Sequence, residues 1–169
     1  MISKKIQNLF ILKEDNIVEI YPNEYIIYIK KRDGDNILGF FTDGIVTCSS
    51  ITISMNKDNI CFFAHINEDN NLINVINYML DKEIVNEKID EVDIFYTNGI
   101  YGCKNEKINY TDLIEKIILI FIKKFNISKD KISTKMKTHK ISTSVLKLIK
   151  LDNGKINYLN NMKDYTKKK

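Results

Sequence analysis

Two runs of β-branched and aromatic residues, set apart by four polar ones, constrain this chain more than any other feature. Thr47 to Met55 and Ile60 to Ile66 flank Asn56-Lys57-Asp58-Asn59, a composition that predicts an antiparallel hairpin with a polar turn. The first run opens at Cys48 and the second closes towards His65, one of two histidines in the chain. A hairpin lays the start of one strand beside the end of its partner, so this reading predicts Cys48 and His65 side by side.

That pairing has a chemistry. A cysteine thiol is mostly protonated near neutral pH and needs a neighbouring base to become a strong nucleophile. Imidazole accepts and returns a proton in that range. A third group usually orients the ring through its other nitrogen, and Thr42 and a nearby backbone carbonyl are both candidates. Backbone N–H groups around Thr47-Cys48-Ser49 are candidates for stabilising an oxyanion.

Strand signals surround the hairpin. Ile17 to Tyr21 and Tyr25 to Ile29 read as strands joined by a turn at Pro22-Asn23-Glu24, and Ile37 to Phe41 resumes an apolar run after a polar loop. Asn71 to Lys82 switches to helical spacing through Leu72, Val75, Ile76 and Met79. Val92 to Thr97 reads as a strand ended by Asn98-Gly99. Thr111 to Phe125 is the clearest helix, with Thr111 as its cap and Lys123 and Lys124 at the end its dipole favours. Lys131 to Ser133, Ile141 to Ile149 and Lys155 to Leu159 read as closing strands, the last two joined at Asp152-Asn153-Gly154. Strands, helix, strand, helix, strands predicts an α+β sandwich rather than a regular parallel sheet.

At 169 residues the chain is read as a single domain, 1–169, with a peripheral segment over 1–16, a core over 36–160 and a basic tail over 163–169. The net charge is +4, of which the tail contributes +3. A body so near neutrality argues against a nucleic-acid surface, which needs a basic stripe. Cys48, Cys61 and Cys103 form no CxxC pair, so neither a metal site nor a disulfide framework is expected, and no cofactor. The N-terminus lacks the apolar core of a signal peptide, and no stretch is long enough for a membrane span. A cytoplasmic setting, with no membrane partner, is the expectation.

The triplet resembles a known family. Cys48 follows Thr42 by six positions and His65 follows Cys48 by seventeen, the spacing of CheD, the chemoreceptor glutamine deamidases. Asp43 to His65 is also similar to protein N-terminal asparagine amidohydrolase, and both relate to the deamidase domain of cytotoxic necrotizing factor toxins. The resemblance implies an αββα sandwich and a cysteine nucleophile that deamidates glutamine, or asparagine, in a protein substrate through a thioester, releasing ammonia. It implies catalytic roles for Cys48, His65 and Thr42. Val46-Thr47-Cys48 stands where CheD has Leu-Gly-Ser-Cys, Ile66-Asn67-Glu68-Asp69 replaces the aliphatic-proline signature, and Asn98 to Gly102 replaces a double-glycine loop. The reaction class therefore transfers better than a chemoreceptor target.

Asp43, Thr47, Ser49 and Tyr101 are the candidate substrate-binding residues: Asp43 beside Thr42, Thr47 and Ser49 flanking the thiol, Tyr101 as a wall of the cleft. Each has a plainer reading, as turn, strand or loop packing. Alone, Cys48 would read as a small buried hydrophobe; the joint spacing favours the catalytic reading. Cys61 reads as core; Cys103 reads as a structural loop residue, with a place near the site as the lesser alternative, and His139 as a solvated loop residue, with lining the pocket as the lesser alternative. Ser49 and Ser50 are weaker nucleophiles than Cys48. The competing functions are a non-catalytic protein-binding module on the same fold and, further off, a cysteine peptidase or transglutaminase-type enzyme.

Overall fold

The computed structural model describes residues 17–45, 48–66, 72–99, 110–139, 142–149 and 156–159. Its strands are β1 (Ile17–Glu19), β2 (Tyr25–Ile29), β3 (Gly39–Ile45), β4 (Ser49–Met55), β5 (Ile60–Ile66), β6 (Val92–Gly99), β7 (Ile132–His139), β8 (Thr143–Leu148) and β9 (Ile156–Leu159). The helices are a single turn α1 (Lys30–Asp33), α2 (Leu72–Tyr78), which runs on into a π-turn over Met79–Glu83, and α3 (Tyr110–Phe125). The expected peripheral segment, basic tail and Asp152–Gly154 turn lie outside the described residues, as does Cys103.

The strands form two sheets, ordered β1-β3-β8-β9 and β2-β5-β4-β6-β7. The expected hairpin is the centre of the larger one: β4 pairs antiparallel with β5 from Ser49↔Ile66 to Met55↔Ile60. Both of its strands are buried on both faces, which is why β5 reads as a nearly continuous apolar run, while β4 alternates Ser and Thr with Ile and Met. Alternation divides their side chains. Ile51, Ile53, Met55, Ile60, Phe62 and Ala64 meet Leu72 and Ile76 of α2 and Ile117 and Phe121 of α3. The other set faces the smaller sheet, where Cys48, Cys61 and Phe63 pack with Phe40, Ile45 and Val145. Phe40 lies 5.8 Å from Phe63 and 6.4 Å from Tyr28, ring to ring, so aromatic contacts fill this layer.

The architecture is thus mixed α+β, two sheets face to face with helices outside the larger one. Among the described residues no helix covers the outer face of the smaller sheet. No helix among the described residues is long and apolar enough to cross a membrane.

Three elements depart from the expectation. The Pro22 turn does not join neighbours: β1 pairs parallel with β3, while β2 crosses over to pair with β5. β3 runs past Phe41 to Ile45, through a bulge between Thr42 and Ile45 where Gly44 takes φ 73°. Most significantly, the segment expected to end at Ser133 continues as a strand to His139, parallel to β6. His139 is therefore a buried strand residue and not a solvated loop histidine. Its strand, ISTKMKTH, is the exposed edge of the sheet, so its polar composition gave no apolar signal.

The hairpin turn is tied down at its far end. Asn56, Lys57 and Asp58 all have positive φ, an arrangement that costs about 1–2 kcal/mol per non-glycine residue. Both Asp58 carboxylate oxygens lie 2.9 Å from Lys147 Nζ, and Ser54 Oγ donates to the same carboxylate. Lys147 is fully buried and reaches across from β8, so one ion pair fastens the turn to the opposite sheet. β3 and β8 approach closely at Gly39, where a Cβ would stand 2.1 Å from the Lys147 carbonyl oxygen.

Candidate active site

Two rows of side chains face each other between the sheets. In the larger sheet the register aligns His65, Ser50, Thr97 and Lys137 across β5, β4, β6 and β7. In the smaller sheet it aligns Thr42, Val145 and Tyr158 across β3, β8 and β9. Directly paired residues project to the same side of a sheet, so polar groups meet polar groups across an otherwise aromatic and aliphatic layer.

Thr42 and His65 close one end. Thr42 Oγ1 is 2.6 Å from His65 Nδ1 and 2.7 Å from the Ile20 carbonyl oxygen. A carbonyl only accepts, so the single hydroxyl proton of Thr42 must point at Ile20. The hydroxyl is then the acceptor for His65, and Nδ1 must carry the ring's proton. The neutral imidazole is left with an unprotonated Nε2, buried and making no hydrogen bond. The threonine holds the ring and the Ile20 carbonyl holds the threonine.

The crossover between the sheets fixes this arrangement. Ile20 follows β1, and Asn23 and Glu24 in the turn beyond it exchange backbone hydrogen bonds with His65 at 2.9 and 3.0 Å. The turn thus grips His65 by its backbone and, through Ile20 and Thr42, by its ring. Burial pushes the imidazole pKa down from 6.5 to about 4, opposed by the negative charge of Asp43. The ring is neutral at pH 7.

Cys48 stands immediately before β4, and its carbonyl accepts the Gly99 N–H at 3.2 Å. It lies two residues from Ser50, the residue opposite His65, so thiol and imidazole share a face one pleat apart, diagonal rather than directly opposite. Cys48 keeps 8% of its surface exposed and His65 2%, so the thiol is the more accessible of the two. His65 Nε2 has no hydrogen bond to it in this state. Such contacts often tighten only when substrate is bound.

The other candidates separate. Asp43 accepts the Gly44 N–H at 2.8 Å and the Ser144 hydroxyl at 2.5 Å, and touches His65 only through its field. Ser49 is on the opposite face from Cys48 by alternation, with its hydroxyl donated to Asn98 Oδ1 at 3.1 Å, away from the thiol–imidazole pair. Ser50, read from the sequence only as an alternative nucleophile, is the residue facing His65. Thr47 and Tyr101 lie outside the described residues. Among the described residues no cluster of three potential metal ligands occurs. A hollow of about 540 Å³, lined by residues including Lys88, Lys124 and Lys131, opens where β6 and β7 begin and holds none of the site residues.

No family model matches the sequence, and no curated protein matches it. Among solved structures the chain is similar to the hypothetical protein YfiH of Bacillus licheniformis, at 12% identity over 78% of this chain and 68% of that one, with a TM-score of 0.38.

Proposed function

We propose that the protein is a cysteine amidohydrolase that deamidates side-chain amides, glutamine or asparagine, of a protein substrate. The observation that carries the reading is the proton count at Thr42, which leaves His65 Nε2 as a buried, unprotonated base on the face shared with Cys48. The Thr42, Cys48 and His65 spacing, with its resemblance to the CheD and necrotizing factor deamidases, supplies the reaction class. Two face-to-face sheets with helices outside the larger one support three of the four layers of the αββα type that goes with it.

The steps follow from the residues. Nε2 takes the thiol proton, and the thiolate of Cys48 adds to the carboxamide carbon. The imidazolium returns that proton to the nitrogen as the C–N bond breaks, releasing ammonia and leaving a thioester. Nε2 then takes a proton from water, hydroxide adds to the thioester carbon, and the C–S bond breaks. The sulfur regains its proton and the product is a carboxylate, so amide and water give acid and ammonia. A ring whose pKa is lowered by burial is a weak base at rest, but a thiolate formed beside it stabilises the imidazolium.

The test is ammonia release from glutamine- and asparagine-containing proteins, with a mass gain of about 1 Da at the modified residue. Wild type should show both, and Cys48→Ser and His65→Gln should show neither. That His65 Nε2 makes no hydrogen bond to Cys48 favours a second reading, a non-catalytic module that binds protein at the same face. Binding of a protein unaltered in mass, by wild type and Cys48→Ser alike, would support it.

A further inference from the structure

The second histidine belongs to the same face as the first. Gly99 lies beside Cys48, joined through the Gly99 N–H and Cys48 carbonyl, and Gly99 pairs with His139 across β6 and β7. One row therefore runs Cys48, Gly99, His139, and its middle member has no side chain. Cys48 and His139 stand two strand spacings apart, about 10 Å between backbones, with nothing projecting from the strand between them. The glycine thus leaves thiol and imidazole as the two side chains that flank this position on the inter-sheet face.

His139 is held for such a role. It is 7% exposed, and its Nε2 is buried without a hydrogen-bond partner, an unfavourable condition unless something fills it. Its ring lies 4.7 Å from that of Tyr158, centroid to centroid. Tyr158 is in turn hydrogen-bonded to Thr97 and covered by Lys137 Nζ, 4.4 Å from the ring centre. The ring is thus braced from β9 and β6, while its buried Nε2 is left without a partner.

From the Cys48–Gly99–His139 row and the orphaned nitrogen, we infer that His139 is a substrate-binding residue whose Nε2 hydrogen-bonds the carboxamide presented to Cys48, from the side opposite His65. The inference rests on the amidohydrolase reading and adds the group that recognises the amide. Two imidazoles then have separate duties: His65 moves protons, and His139 holds the planar group in place.

Iodoacetamide carries a carboxamide and alkylates a thiolate with loss of iodide; methyl methanethiosulfonate carries none and forms a mixed disulfide with loss of methanesulfinate. Labelling of Cys48 by each is followed by peptide mass spectrometry in wild type, His139→Phe, His139→Gln and His65→Gln. His139→Phe keeps a ring against Tyr158 without the nitrogen. It should slow reaction with iodoacetamide about tenfold, the value of one hydrogen bond, and leave the thiosulfonate reaction unchanged. His139→Gln, which retains a hydrogen-bonding amide, should be slowed less. His65→Gln should slow both reagents alike. Continued protection of Cys61 from both reagents certifies each variant's fold, and His139→Gln carries the test if His139→Phe fails it. Equal slowing of both reagents by the His139 variants, or no change with either, overturns the inference while leaving the amidohydrolase reading in place. A wild-type Cys48 no faster than Cys61 removes that reading and the inference with it.

Discussion

Thr42 accepts a hydrogen bond from His65 Nδ1 at 2.6 Å because its own proton is committed to the Ile20 carbonyl 2.7 Å away. The hydroxyl therefore sets which nitrogen of His65 is the base. Thr42→Val keeps the shape and removes the acceptor, so both the Nδ1–H and the Ile20 carbonyl lose a buried partner. The expected cost is about 1–3 kcal/mol in stability and on the order of a hundredfold or more in kcat, by analogy with loss of the orienting group in other triads. Thr42→Ser should recover most of both. Nitrogen NMR of the imidazole checks the cause: wild type should show the Nδ1–H tautomer at pH 7, and Thr42→Val should lose that preference.

His65 also makes a pH prediction with a definite sign. Its pKa is about 4 when folded and near 6.5 when unfolded, so between those values the unfolded chain binds the extra proton. Stability from this group is fully present above 6.5 and is lost as pH falls towards 4. From pH 7 to 4.5 the loss is about 2 kcal/mol, and burial of His139 acts in the same direction. Urea titrations should show His65→Gln losing correspondingly less over that range. On the proposed amidohydrolase reading, the acid limb of kcat/KM should fall nearer 4 than 6.5; a limb at 6.5 would mean the ring is not held as the structure holds it.

The hairpin was legible because its signal is local: an alternating run before Asn56–Asn59 and an apolar, aromatic run after it need no distant partner to be read. The triplet was legible because spacing survives where packing is unknown. The sheet assignment of β1 and β2 was not, since Pro22-Asn23-Glu24 has the same composition whether a turn joins neighbours or crosses between layers. The strand ending at His139 was missed for a different reason. An edge strand exposed along six of its eight residues needs no apolar face, and its order comes from hydrogen bonds to β6. Lys147 was hidden by distance, because its counter-ion Asp58 is 89 residues away in sequence.

That buried pair carries the third prediction. Lys147 is wholly buried and Asp58 nearly so, with both carboxylate oxygens at 2.9 Å. Lys147→Met leaves the Asp58 carboxylate without its cation in the inter-sheet layer and should destabilise by about 3–5 kcal/mol. Asp58→Asn suits the positive φ of its position and removes the stranded charge, so the Lys147→Met/Asp58→Asn double variant should recover a large part of the loss. Denaturation of the two single variants and the double variant gives the coupling. Additive losses would show that the pair is not what fastens the turn to β8.

Two thiols on the same inter-sheet face should differ sharply in reactivity. Cys61 is fully buried, and desolvation drives its pKa up to about 12 despite the nearby Lys147 charge. Cys48 retains surface at the mouth of the layer and shares its face with an unprotonated imidazole. Native protein treated with iodoacetamide at pH 7.5 should label Cys48 and leave Cys61 intact until urea unfolds the chain. The difference should reach on the order of a hundredfold in rate, because a thiol at pKa 12 holds almost no thiolate at that pH. His65→Gln should reduce the Cys48 rate without exposing Cys61, which separates loss of the base from loss of the fold. Cys61 labelling at the Cys48 rate in native buffer would contradict both the burial of one thiol and the activation of the other.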